Sequence, residues 1–156
     1  MSDYRLSIRA IIVNEDRILL NEFNNGEYYN LPGGGLEDGE SLRECVEREV
    51  LEESGYYVIS QEMLYIYEYN PVRDNYSYGK RGALSHVFRC EIDTRYSKTD
   101  RRVIDSDPQG KSQSSGCKWI PLKDLGKINL IPSIGHIILE DIMCMNLDTK
   151  FLEDIH

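Results

Sequence analysis

The sequence predicts a layered α/β/α or α+β domain built on a mixed β-sheet. Three observations carry that expectation. Short β-rich stretches recur along the chain, one well-capped helix follows the third of them, and an amphipathic pattern closes the chain. With 156 residues and no internal repeat, one domain spanning 1–156 is expected, large enough for a sizeable core.

From Tyr4 to Ile12 apolar residues first alternate ("YRLSIRA") and then run together ("AIIV"), the pattern of a strand entering a buried sheet. "NED" is a turn, and "RILLNEF" is the return strand of a hairpin. "NNG" turns the chain again before a short strand at Tyr28–Leu31. "PGGGLEDGE" reads as a glycine-rich loop. Ser41 and Glu44 form an S-x-x-E capping box that starts a helix over about Leu42–Ser54, with Gly55 as its left-handed stop. "EMLYIYEY" and "GALSHVFRCEI" have strand composition, which makes His86 a strand residue. "NPVRDNYSYGKRG" between them is a basic, aromatic loop. Thr94–Gly116 reads as a long polar segment, "CKWIPL" as a last short strand, and "PLKDL" as a turn or single helical turn. "IPSIGHIILEDIMCM" has the spacing of a closing amphipathic helix carrying His136, weakened by Gly135 in its first turn. The tail "DTKFLEDIH" is expected to extend that helix or to fray.

Composition narrows the function. At 40% hydrophobic and 29% charged the chain has an ordinary soluble balance, and its net charge of -9 argues against broad contact with nucleic-acid phosphate or anionic membrane. No DNA partner is expected, and the longest apolar runs are far too short to span a bilayer. No charged head followed by an apolar run opens the chain, so no signal peptide is expected. Cys45, Cys90, Cys117 and Cys144 are widely spaced without a CxxC pair, which favours free thiols in a reducing cytoplasm over disulfides or a zinc site.

The helix ending in "REVLEESGY" is electrostatically odd. Arg43 can reach Glu47, Glu44 can reach Arg48, and Arg48 can reach Glu52, all at the i,i+4 spacing that supports helices. Glu49 and Glu53 have no Lys or Arg three or four residues away. Each like-charged contact costs about 0.2–0.5 kcal/mol, and each carboxylate in the last turn about 0.3–1 kcal/mol against the helix dipole. A divalent cation removes that conflict, because clustered carboxylate oxygens are hard ligands suited to Mg²⁺ or Mn²⁺. The glycine run feeding the helix allows close backbone approach to a ligand, and it lacks the Lys-Ser/Thr ending of a P-loop.

Read from Gly34, "GGLEDGESLRECVEREVLEESGY" resembles the Nudix box. Gly34, Glu40, Arg48, Glu49, Val50, Glu52, Glu53, Gly55 and Tyr56 stand at its fixed positions, Tyr56 where an aliphatic residue is more usual. "LPGG" before the box, "WIPL" after it and the strand order also resemble the family. The resemblance implies a Nudix-type α/β/α sandwich with a mixed central sheet. It also implies a hydrolase that cleaves the pyrophosphate bond of a nucleoside diphosphate linked to another moiety, using Mg²⁺ or Mn²⁺. Its ligands would be Glu49, Glu52, Glu53 and the carbonyl of Gly33. Arg48 would orient the glutamates, Glu40 would support the metal or the loop, and Glu49 or Glu53 would double as the base for water. A homodimer is common among relatives.

One departure stands further on. Some relatives place another acid a few residues before the Trp matching Trp119, where this chain has "GKSQSSGCKW"; Asp105 and Asp107 are candidate substitutes, with a solvated loop the favoured reading of them. For the substrate, Tyr76 can stack on a base, and Arg73, Lys80 or Arg81 can meet phosphate. Pro71 lies near where a proline marks relatives that cleave ADP-ribose. The competing readings are a nucleoside triphosphate (MutT-like) pyrophosphohydrolase, a Nudix-fold nucleotide sensor without catalysis, and an RNA 5′-end pyrophosphohydrolase. The last requires a basic channel that this charge balance does not advertise.

Overall fold

Alternation along the first strand decides which layer each side chain joins. In the computed structural model, which describes residues 3–76, 79–96 and 114–153, β1 spans Tyr4–Asn14. Its Ile8, Ala10 and Ile12 enter one core cluster, while Ile11 enters the other on the opposite face. β2 (Arg17–Phe23) returns as a hairpin and pairs with β3 (Tyr28–Asn30). β5 (Val58–Tyr69) and β6 (Gly82–Ile92) form a long antiparallel pair, and β6 lies parallel to β1 from Tyr4↔Gly82 to Ile12↔Cys90. β7 is Ser114–Pro121 and pairs with β2.

The glycine run is not simply a loop. Gly33–Gly35 form β4, antiparallel to Ser7–Arg9 of β1. Three residues without side chains offer no β-pattern to read, yet their bare backbones let the strand lie close. The tail is neither a helical extension nor frayed over its described part. Lys150–Leu152 make β8, parallel to Tyr65–Tyr67 at the sheet edge. Its signal is non-local, because β5 supplies every backbone partner. The sheet thus runs β3-β2-β1-β6-β5-β8, with β4 added to β1 and β7 to β2.

Two helices cover the two faces. α1 spans Leu42–Ser54, with Ser41 Oγ accepting from Glu44 N at 3.2 Å and Glu44 Oε2 accepting from Ser41 N at 2.8 Å. Gly55 stops it at φ 73°. Its Cys45, Val46 and Val50 pack on Ile8, Ala10 and Ile12. The closing helix α2 is shorter than its apolar spacing suggests, Gly135–Met143, and Gly135 opens it rather than weakening its interior. A 3₁₀ turn, Leu122–Lys127, packs Leu125 beside Ile138 of α2 in the second cluster. β5 starts before "EMLYIYEY", and β7 starts inside the stretch read as polar loop. His86 lies on β6 and His136 on α2, as their neighbours imply. All four cysteines are free, and no helix among the described residues is long and apolar enough to cross a membrane.

α2 is pinned by a buried polar group. Asp141, 5% exposed, accepts from Tyr65 Oη at 2.6 Å and from Lys150 Nζ at 2.6 Å, joining α2, β5 and β8. Burial, and then the neighbouring carboxylate, push the Tyr65 hydroxyl pKa up. Asp141→Ala leaves the buried Tyr65 hydroxyl without its acceptor, an expected loss of about 1–3 kcal/mol. A lower urea midpoint at unchanged m-value checks it.

Candidate active site

α1 presents its acidic face to the β4 backbone, and Arg48 gathers that face. Arg48 Nε donates to Glu40 Oε1 at 2.7 Å and Nη2 to Glu40 Oε2 at 3.0 Å, a two-point fork. Nη1 donates to Glu49 Oε1 at 2.9 Å and reaches Glu52 Oε2 at 3.3 Å, while Nη2 also donates to the Gly35 carbonyl at 3.2 Å. Glu49 therefore does have a local partner: the long guanidinium wraps to its immediate neighbour, which helical spacing alone does not suggest. That guanidinium holds the Glu40 carboxyl down at about 2. Two expected helix pairs are replaced. Glu44 turns to Ser41, and Arg43 leaves Glu47 to donate to the Ser60 and Gln61 carbonyls. Glu47 in turn accepts from Ser60 N at 3.0 Å and Ser60 Oγ at 2.9 Å.

Glu53 sits deepest. Its Oε2 accepts from Asn21 Nδ2 at 2.7 Å and from Gly33 N at 3.2 Å. Burial outweighs these bonds and raises its pKa to about 7. Burial raises Glu49 as well, against the opposing pull of Arg48. The Glu49 carboxylate lies where a side chain on Gly34 would stand, so only glycine leaves it that space. Glu52 is exposed, joined to the group through Arg48.

Arg9 completes the junction. Its Nη1 donates to Leu31 O at 3.0 Å and to Gly33 O at 3.3 Å. A carbonyl oxygen has two lone pairs, so Gly33 O keeps one for another partner. Neither Arg9 nor Asn21 was singled out from the sequence. Asn21 did leave a trace, as a polar residue that directly follows the buried run Ile18–Leu20 and is itself 6% exposed. Tyr56 earns its place in the box by contact: it is buried, its ring meets Trp119 edge-on at 5.8 Å, and its hydroxyl accepts from Trp119 Nε1 at 3.1 Å.

Among the described residues, no three acidic, imidazole or thiol groups already enclose a point as a metal cluster. The donor chemistry nevertheless fits a hard divalent cation. Glu49, Glu52 and Glu53 are carboxylates on one helix face, Gly33, whose amide donates to Glu53, adds a carbonyl, and Gly34 leaves the Glu49 carboxylate room.

On the face of β1 turned away from α1, a cavity of about 350 Å³ opens along β1, β6 and β5, with Arg5, Arg9, Tyr67, Glu68, Tyr69 and Asp74 on its wall and Arg9 as its link to Gly33. Arg73, Tyr76, Lys80 and Arg81 lie elsewhere. Arg73 pairs with Glu68 at 2.8 Å and Arg81 with Asp3 at 2.9 Å. Lys80 and Arg81 border a separate cavity with Pro71, and Tyr76 is exposed. Asp105 and Asp107 fall outside the described residues.

Arg48→Lys keeps the charge but loses the fork that holds Glu40, Glu49 and Glu52 together. A fall in turnover of about 10–100-fold with an unchanged melting temperature is expected; full activity would show that the fork is dispensable.

The pattern of the NUDIX domain matches residues 3–140. A protein of Bacillus subtilis (strain 168) named "Uncharacterized Nudix hydrolase YvcI" is 27% identical over 129 residues, covering 83% of this chain and 73% of that protein. A solved UDP-X diphosphatase superposes with TM-score 0.69 at 18% identity, covering 99% of this chain and 68% of the other. An ADP-ribose pyrophosphatase from Streptococcus suis 89-1591 gives 0.61 at 24% identity, covering 95% and 98%.

Proposed function

This chain belongs to the Nudix family, and on that premise we propose that it hydrolyses the pyrophosphate bond of a nucleoside diphosphate linked to a further group, with a divalent metal ion. The observation that carries this reading is the seating of Glu53 on the Gly33 amide, with Glu49 against Gly34 and Arg48 tying Glu40, Glu49 and Glu52 together. Arrays of this kind suit phosphoryl transfer, where positioning and charge stabilisation dominate.

Glu49, Glu52 and the Gly33 carbonyl would hold Mg²⁺ or Mn²⁺, together with Glu53. When bound, the ion supplies positive charge against the phosphate oxygens and makes water more acidic. Glu53 Oε1 would accept the proton of the attacking water, since Oε2 is taken by Asn21 and Gly33. Arg48 and Glu40 fix the approach of Glu49 and Glu52. The nucleoside would enter the 350 Å³ cavity, where Tyr67 and Tyr69 offer aromatic surface.

The names of the two superposed structures favour nucleoside diphosphate derivatives as the first substrates to try. The test is a product-chromatography screen over ADP-ribose, sugar nucleotides, dinucleoside polyphosphates and nucleoside triphosphates, each with Mg²⁺ and with Mn²⁺. Cleavage of a diphosphate derivative to a nucleoside monophosphate is the expected result. Cleavage of triphosphates alone would move the assignment to the MutT-like reading, and no cleavage of any compound would leave the sensor.

A further inference from the structure

The cavity face of β1 carries cations in a chain whose acids outnumber its bases 27 to 18. Period two along a strand puts Arg5, Ser7 and Arg9 on one face, and all three line the 350 Å³ cavity. Arg9 is the one that reaches the glutamates' end, through the Gly33 carbonyl. Its Nε donates to Ser7 Oγ at 3.1 Å and its Nη1 to the Leu31 and Gly33 carbonyls. These bonds fix the guanidinium plane, and Nη2 takes no partner among the described residues.

The choice of partners is informative. Arg48, Arg73, Arg81, Arg89 and Arg95 all form ion pairs with carboxylates. Arg9, like Arg43, is held among the described residues by neutral oxygens alone, but of the two only Arg9 lines the cavity. Neutral acceptors orient a guanidinium without cancelling its charge, so the Arg9 field reaches Glu49 and Glu53, whose carboxyls it pulls down, as well as whatever enters the cavity. A guanidinium held rigid with its Nη2 hydrogens left over suits a phosphate oxygen. The position matches as well, between a cavity wide enough for a nucleoside and the carboxylates placed at the reacting bond.

We propose that Arg9 is a phosphate-binding residue that grips the nucleotide's own phosphate, the one on the cavity side of the bond to be broken. The proposal rests on the reading of this chain as a nucleoside diphosphate hydrolase. It assigns Arg9 to the part of the substrate that leaves as a nucleoside monophosphate. It also separates two functions on one side chain: Nη1 braces the Gly33 carbonyl, and Nη2 faces the phosphate.

Calorimetry on the full, metal-free chain in EDTA tests it, with AMP and UMP each compared with its parent nucleoside. For at least one base the wild type is expected to bind the monophosphate more tightly than the nucleoside. Arg9→Ala should weaken monophosphate binding about 10–100-fold and leave nucleoside binding unchanged. Arg9→Gln keeps a donor for the Leu31 carbonyl and removes the charge, so it decides the matter if Arg9→Ala does not fold. Arg17→Ala removes one exposed charge from the β1–β2 hairpin and should change neither affinity. In a catalytic assay KM should rise more than kcat falls. Equal losses for nucleoside and monophosphate would reduce Arg9 to a brace for its carbonyls and overturn the proposal. So would a wild type, or an Arg9→Gln variant, whose monophosphate and nucleoside affinities show no difference attributable to Arg9. If no diphosphate is cleaved in the substrate screen, the hydrolase reading falls while the binding comparison still decides Arg9.

Discussion

Glu53→Gln is expected to lower kcat by about 10²–10⁴-fold and, in metal-free protein above pH 7, to raise the melting temperature. The two effects have one cause. Burial holds the Glu53 carboxyl at about 7, above its ordinary value of 4.5. An acid whose folded pKa lies above its unfolded pKa supports the fold below the lower value, and that support is lost as pH rises through the higher one. At pH 8 the metal-free fold therefore carries a buried carboxylate it would rather protonate. Glutamine keeps an oxygen for Asn21 Nδ2 and Gly33 N and carries no charge. Melting curves at pH 5 and pH 8, with EDTA and with Mg²⁺, read the effect. The variant should gain over wild type at pH 8 in EDTA and show little difference at pH 5. Added Mg²⁺ should stabilise the wild type more than the variant, because the ion restores a use for the charge. Unchanged turnover would remove Glu53 from the proposed chemistry, and a lowered melting temperature in EDTA would contradict the desolvation argument.

Gly33→Ala is expected to lower stability by about 2–4 kcal/mol and to abolish turnover. Gly33 sits at φ 148°, and a Cβ there would run into the Ile8 carbonyl and within 2.8 Å of Arg9 Cα. Both obstacles are backbone, so the β4–β1 pairing itself must give way. The amide that donates to Glu53 and the carbonyl that accepts from Arg9 move with it. Gly34→Ala makes the useful contrast. Its added methyl meets the movable end of Glu49, which can swing aside. That variant should fold nearly as well as wild type yet turn over slowly, because Glu49 is displaced. Urea midpoints and kcat measured on both variants separate the two cases; equal midpoints would refute the close approach at Gly33.

The legible parts of the chain were those with local causes. The capping box and Gly55 set both ends of α1, and the alternation of "YRLSIRA" marked β1, because neighbours a few residues apart decide such features. The acidic face could be read for the same reason. β4 and β8 escaped because their partners are remote: bare glycines take strand form only against Ser7–Arg9, and Lys150–Leu152 only against β5. Arg9 and Asn21 escaped similarly. Each looks like an ordinary strand residue until Gly33 and Glu53 arrive from elsewhere in the sequence. The basic loop drew attention by composition, yet Arg73 is matched by Glu68 of the cavity wall and Arg81 by Asp3. Composition counts charges without saying which are already matched.

The parallel pairing of β1 with β6 has a consequence for how this site comes into being during synthesis. A ribosome that has delivered the chain as far as Tyr69 has emitted every glutamate of the acidic helix and both cavity arginines. The strand that lies along β1 from Gly82 to Cys90 has not yet been made. Until it emerges, β2, β4 and α1 already orient β1, but Ala83 and Ser85 of the cavity wall are missing. The carboxylates are thus written early, and the pocket that gives them something to act on is finished late.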